Sequence, residues 1–273
     1  TAFGSTRRKN AKCAEDANLN ALAAAGTEAV SIFGKSWDFH VTDILKATKE
    51  ENLAMIGESV AYLKALGKTV VYDAEHFFDG YKNNREYALR TVRAAAAAGA
   101  DVVSLCDTNG GCFPSEIAEA VRAVKAAISC PVGVHAHDDT GCGVANSVEA
   151  VLAGAEHVQG TLVGYGERCG NANLSAIIPD LQLKCGVACV AGDLKNLTEI
   201  ARRVAEISNV RLNRGMPYVG KSAFTHKAGM HIDGVNKSSR SFEHVSPEEV
   251  GNERRFLMSE VAGRSTVLGK IQK

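Results

Sequence analysis

The stretch from Pro131 to Gly141, PVGVHAHDDTG, sets two histidines and two aspartates directly behind a short apolar run. The run Val132 to Val134 is β-branched around one glycine and follows a proline, so it reads as a buried strand. Residues two apart on a strand share a face. His135 and His137 would therefore present both imidazoles in one direction at the strand's C-terminal end, a geometry suited to two ligands of one divalent cation. On a helix the same spacing would splay them apart. An isolated His-x-His is more often an ordinary pair of polar residues at a strand-to-loop junction, so the rest of the chain decides which reading holds.

The chain must fold so that other chemically capable residues reach the same place. Its 273 residues suit one large barrel or two modest domains, and either buries a substantial core. Lys+Arg and Asp+Glu balance at 31 each, so no basic nucleic-acid surface or polybasic membrane anchor is expected. Eight cysteines without a Cys-x-x-Cys pair read as reduced cytoplasmic thiols. No apolar run approaches a membrane span and no signal peptide opens the chain. The opening TAFGSTRRKN lacks methionine and begins on an apolar run, which reads as the end of a strand already under way, with the N-terminus missing.

A repeating order of strand, polar loop and helix follows. Strands are expected at 29–33, 69–73, 101–106, 132–134 and 157–163, with helices at 50–66, 84–98, 114–127 and 144–153 and another beginning near Asn173. With the opening run these make six strand–helix units about thirty residues apart, the rhythm of parallel β/α architecture. A doubly wound sheet and an eight-stranded barrel both fit that rhythm. The barrel is favoured because polar residues follow nearly every strand and no glycine-rich dinucleotide loop follows the first. The expectation is thus a parallel α/β TIM barrel lacking its first two β/α units at 1–191, then a small helical subdomain at 192–273.

The strand ends read STRRKN, GKSWD, AEHFFDG, CDTNGG, HAHDD and GYGERCGNA in turn. Most of these residues have plain readings. Arg7, Arg8 and Lys9 suit a solvated loop better than a phosphate contact, and Trp37 and His40 suit packing. Thr108 fits a turn, and Asn171 fits a helix cap. Glu75 is harder to dismiss, because a carboxylate directly after a buried strand needs a partner. A barrel mouth gathering His135, His137, Glu75, Thr108, Glu167, Arg168 and Asn171 would be a metal site with acid, base and oxyanion-binding groups around it.

HAHDDTG, VANSVEAVLAGA and GYGERCGNANL resemble motifs of the DRE-type TIM-barrel acyltransferases and lyases, which include isopropylmalate, homocitrate and citramalate synthases. STRRKN, FGKSWDFHVTD, YDAEHFFDGY and LCDTNGG look most like the citramalate-type members. The resemblance runs nearly from end to end. It implies that His135 and His137 ligate a divalent metal (Mg, Mn or Zn), with Asn171 on or beside it. It implies catalytic roles for Glu75, Glu167 and His231, with His231 taking a proton from acetyl-CoA, and substrate-binding roles for Thr108 and Arg168. His226 is expected to be structural.

The reaction implied is a condensation of acetyl-CoA with pyruvate to citramalate and CoA, as in branched-chain amino-acid biosynthesis, by a cytoplasmic homodimer. Alternatives are another 2-keto acid, as in isopropylmalate or homocitrate synthases, the reverse cleavage, or a non-catalytic barrel. The chain departs from the family pattern at Asp138, Val163 and Phe242, where asparagine, asparagine and tyrosine are common. The arginine and metal-binding aspartate of the family's first strand have no counterpart in it.

Overall fold

The computed structural model describes residues 1–257, so the far end of the expected post-barrel subdomain, 258–273, lies outside the described residues. The chain forms two compact units. One is Thr1–Gly160 with Gly166–Ala172, and the other is Thr161–Tyr165 with the described residues from Asn173 onward. The helix beginning at Leu174 belongs to the second unit, where the Ser175 hydroxyl accepts from Val163 N at 3.1 Å.

The first unit is built on a six-stranded parallel sheet whose strands lie in chain order. They are β1 (Ala2–Ser5), β2 (Ala29–Lys35), β3 (Thr69–Glu75), β4 (Val102–Asp107), β5 (Val132–Ala136) and β6 (His157–Gln159). β-Branched residues meet across the ladders, Val30 opposite Val70, Val103 opposite Val132 and Val134 opposite Val158. Every expected strand is present, but β6 stops four residues early. Gly160 follows it, and Val163, in the left-handed region at φ 59°, turns the chain away.

Helices α1 (Ala17–Ala24), α2 (Lys49–Ala65), α3 (Phe77–Asn83), α4 (Arg85–Ala97), α5 (Pro114–Lys125) and α6 (Gly143–Leu152) complete the unit. Their starts are chemically marked. Asp16 accepts from Asn18 N and Leu19 N, Thr48 from Glu51 N and Asn84 from Tyr87 N, while Pro114 opens α5. The short helices α1 and α3 were not expected, because neither shows a sustained apolar period.

One core lies between the sheet's outer face and these helices. Ile32, Val70, Tyr72, Val103, Leu105 and Val134 pack there with Ile56, Leu63, Phe77 and Ile117, all fully buried. Full burial of each such side chain contributes about 1.5–3 kcal/mol. The other face is concave. β3 and β6 are three places apart in the sheet, roughly 14 Å if it were flat, yet Gln159 Nε2 donates to Asp73 Oδ1 at 2.7 Å. The sheet therefore curls strongly, as a barrel wall does.

In the second unit, α7 (Leu174–Pro179) is capped by Asn173, whose side chain accepts from Ser175 N, so the cap is Asn173 and not Asn171. Helices α8 (Leu197–Ile207) and α9 (Gly229–Lys237) and the short parallel pair β7 (Thr225–His226) and β8 (Arg255–Phe256) follow. Ile177, Val219, Ile232 and Val250 are buried in this unit. His226 and Arg254 both bond the buried Glu243, a structural cluster in keeping with the role expected of His226.

Candidate active site

The C-terminal strand ends and the segment 166–172 enclose a cavity of about 370 Å³ on the concave face. Asp73, Glu75, Thr108, His135, His137 and Arg168 are among its lining residues, and Glu167, Cys106, Gln159, Phe3 and Phe33 complete it. It thus gathers all but Asn171 and His231 of the residues that the sequence singles out.

His135 and His137 lie side by side, ring centroids 5.2 Å apart, as alternation along a strand end requires. Their environments differ. His135 Nδ1 is 3.0 Å from Gln159 Oε1, whereas His137 Nδ1 is 3.1 Å from an Arg168 guanidinium nitrogen. Burial first, then the neighbouring His135 and Arg168, hold His137 below its ordinary pKa, which favours the neutral ring. Backbone pairing of His137 with Asn171 sets that asparagine beside the pair. Gly166 makes room for it, since a Cβ there would lie 2.1 Å from Asn171 Nδ2.

Arg168 sits in the left-handed region at φ 54°, a conformation disfavoured for a residue with a Cβ. It is held there by a two-point ion pair with Asp139 at 2.7 and 2.9 Å and by donation to Thr108 O at 2.8 Å. That pair keeps Asp139 below the usual carboxylate range. Asp138 points elsewhere, accepting from Gly143 N at 2.7 Å where α6 begins. Thr108 Oγ1 accepts from His76 N at 2.9 Å, which leaves its own hydroxyl proton to donate.

Glu75 has the partner its position demands, an ion pair with Lys35 at the end of β2; both side chains are less than a quarter exposed. Asp73, deeper in the cavity, is pushed above the usual carboxylate range by burial, although Ser31 and Gln159 both donate to it. Cys106 is buried, and burial pushes its thiol well up, which disfavours the thiolate. All eight cysteines are unpaired.

Arg7 is not a solvated loop residue. It is 4% exposed and bridges Glu51 and Glu58, both at 2.7 Å. Trp37 stacks on His40, and His76 lies tilted against both rings, as packing residues do. His231 belongs to the second unit, exposed on α9 with its ring stacked on Phe242 at 4.2 Å.

Sequence reasoning passed over Lys35, Asp73, Asp139 and Gln159. A polar residue inside an apolar strand was the available signal for Asp73 and Gln159. Nothing local marks Lys35 or Asp139, because their partners are 40 and 29 residues away.

Whether these residues suit a divalent cation turns on lone pairs. A neutral imidazole has one. With its Nδ1 against a carbonyl oxygen, His135 keeps Nε2 as a ligand atom, the arrangement usual for metal-bound histidines. His137 Nδ1 faces the Arg168 nitrogen whose two protons also serve Thr108 O and Asp139, so a cation on Nδ1 would displace this shared contact. The pair with Asn171 beside it fits a cation once Arg168 releases His137. Among the described residues no group of three or more His, Cys, Asp and Glu converges to hold a metal, and no helix is long and apolar enough to cross a membrane.

The HMGL-like family model matches residues 6–204, and the homocitrate synthase post-HMGL domain-like model matches 218–273. An (R)-citramalate synthase of Aquifex aeolicus is 56% identical over all of this chain and 52% of its own length. One from Sulfolobus acidocaldarius is 52% identical, with the same coverage of each. The chain therefore spans about half the length of the curated relatives it matches. Among solved structures, Bacillus subtilis HMG-CoA lyase superposes with a TM-score of 0.62 at 20% identity, over 77% of this chain and 70% of that one. The fold is accordingly an α/β TIM-barrel fold. The match across most of the chain and the polar cavity at the strand ends lead to one conclusion: this chain belongs to the HMGL-like family.

Proposed function

We propose that the chain carries the catalytic barrel of an acyltransferase that condenses acetyl-CoA with pyruvate to give citramalate and free CoA. Residues 1–191 form the barrel and 192–273 the post-barrel subdomain. The observation that carries this reading is the gathering of Glu75, Thr108, His135, His137, Glu167 and Arg168 in one cavity. The choice of pyruvate is supported by two (R)-citramalate synthases that are each more than half identical over the whole chain.

A divalent metal (Mg, Mn or Zn) would be held by His135, His137 and Asn171, and when bound it supplies Lewis acidity toward the keto-acid oxygens. The remaining work belongs to the side chains. The Thr108 hydroxyl donates to the keto-acid carboxylate, and Arg168, once free of His137, offers its guanidinium to the same group. His231 removes a methyl proton from acetyl-CoA, and the resulting carbanion forms the new C–C bond at the keto carbon. Glu75, tethered by Lys35, and Glu167 serve as the acid–base pair that protonates the new alkoxide and activates water. That water cleaves the thioester, leaving a carboxylate and CoA thiol. A cytoplasmic homodimer accompanies this reading.

The test incubates the full-length protein with acetyl-CoA, a divalent metal, a panel of 2-keto acids and a thiol reagent. CoA release with pyruvate alone is expected. Release with a bulkier keto acid alone overturns the substrate assignment, and release with none overturns the enzymatic reading. For His231→Ala the expectation is lost turnover with calorimetric metal binding retained; normal turnover removes His231 from the reaction.

A further inference from the structure

From His135 a hydrogen-bonded chain runs across the concave face through Gln159, Asp73 and Ser31, to which the proposed reaction gives no role. His135 Nδ1 faces Gln159 Oε1 at 3.0 Å, Gln159 Nε2 donates to Asp73 Oδ1 at 2.7 Å, and Asp73 Oδ2 accepts from Ser31 Oγ. These contacts link β5, β6, β3 and β2.

The chain has a direction. Asp73 is 5% exposed and takes a donor on each oxygen, so Gln159 turns its NH2 toward Asp73 and its carbonyl toward His135. A carbonyl oxygen only accepts. His135 Nδ1 must therefore carry the ring proton, and Nε2 keeps the lone pair. At His137 the logic is reversed. A guanidinium only donates, so Nδ1, which at 3.1 Å shares an Arg168 proton with Thr108 O, is on the acceptor side, and the ring proton belongs on Nε2. Two rings 5.2 Å apart hold opposite tautomers.

We propose that Gln159, oriented by Asp73 and Ser31, is a positioning residue that locks His135 as its Nδ1–H tautomer with Nε2 as a ready metal ligand. The two histidines are then not equivalent. His135 is ready before any cation arrives, whereas His137 becomes available only when Arg168 withdraws. The tautomer assignment stands on hydrogen-bond geometry alone; its consequence for a cation rests on the reading of His135 as a ligand.

Long-range 15N–1H NMR of the histidine-labelled protein reads each ring's tautomer, with His135 assigned by loss of its signals in His135→Asn. Titration calorimetry with Mn2+ alone reads the cation site. The wild-type protein is expected to show His135 protonated at Nδ1. Gln159→Leu should release the ring into a mixture of tautomers and weaken Mn2+ binding about 10–100-fold, the range for an outer partner of a ligand. Gln159→Glu combined with Asp73→Asn keeps an acceptor at the ring and a donor–acceptor contact behind it, and should restore the wild-type tautomer.

A wild-type ring protonated at Nε2 overturns the proposal, and so does an unchanged tautomer in Gln159→Leu. A shifted tautomer with unchanged Mn2+ affinity upholds the relay and overturns the reading of His135 as a ligand. Should Gln159→Leu fail to fold by circular dichroism, the wild-type spectrum and the Gln159→Glu/Asp73→Asn pair still decide.

Discussion

The two faces of the parallel sheet follow opposite rules. On the outer face Ile32, Val70, Tyr72, Val103, Leu105, Val132 and Val134 are fully buried against the helices. On the concave face the alternating residues are Ser31, Asp73, Glu75, Cys106, His135 and Gln159, around a cavity. Strand geometry makes the separation strict, because neighbouring residues point to opposite sides. Stability resides largely on one face, and on the other Asp73, Glu75 and Gln159 are each held by a partner: Ser31 and Gln159 on Asp73, Lys35 on Glu75, and Asp73 and His135 on Gln159.

The sharpest break of this contrast is on the outer face. Leu105→Ala leaves a hole under helices with little room to close it, and unfolding in urea should show a loss of about 2–5 kcal/mol. A loss below about 1 kcal/mol would mean that this face is not the main core.

On the concave face His135→Ala should leave the urea midpoint nearly unchanged while weakening Mn2+ binding by at least about 100-fold, beyond the range for outer partners. A calorimetric titration indistinguishable from wild type removes His135 from the ligand set.

Lys35→Met tests whether concave-face charges are kept by their partners. It strands Glu75 in a half-buried position, which should cost about 1–2 kcal/mol, between the exposed and fully buried cases. Lys35→Met/Glu75→Gln together should recover most of it. Without such recovery the pair is not coupled.

The smallest effect belongs to the second unit. Burial alone would raise Glu243, but bonds from Arg254 and His226 outweigh it and hold the carboxyl below its ordinary value. A depressed carboxylate contributes stability above its unfolded pKa and loses it as pH falls through the folded one. Stability should therefore decline below the ordinary glutamate range, and Glu243→Gln should flatten that decline in a pH series of thermal melts. An equally steep acid limb in the variant would assign it to other groups.

Much of this was legible from residue order. The apolar runs, Asn84, Pro114 and the spacing of His135 and His137 announce strands, helix starts and a shared face, because each signal is local. Glu75 at a strand end called for a partner without saying which. Arg7 was misread as a solvated loop residue, because its partners, Glu51 and Glu58, are on a helix more than forty residues away. The plain reading of Asn171 as a cap, beside its reading as a metal ligand, fails because Asn173 takes that place and Asn171 pairs with His137.

The HAHDD stretch by itself determined that two imidazoles would emerge from one strand on one side, since a period of two is a property of the backbone. Its motifs also carried the family resemblance. Only the tertiary structure decided that those imidazoles are unlike. Curling of the sheet brings β6 against β3, so that Gln159 and Asp73 meet beside His135. The left-handed turn at Arg168 swings a guanidinium onto His137. Both contacts span more than twenty residues, and a proton's place on a ring depends on what stands opposite it in space.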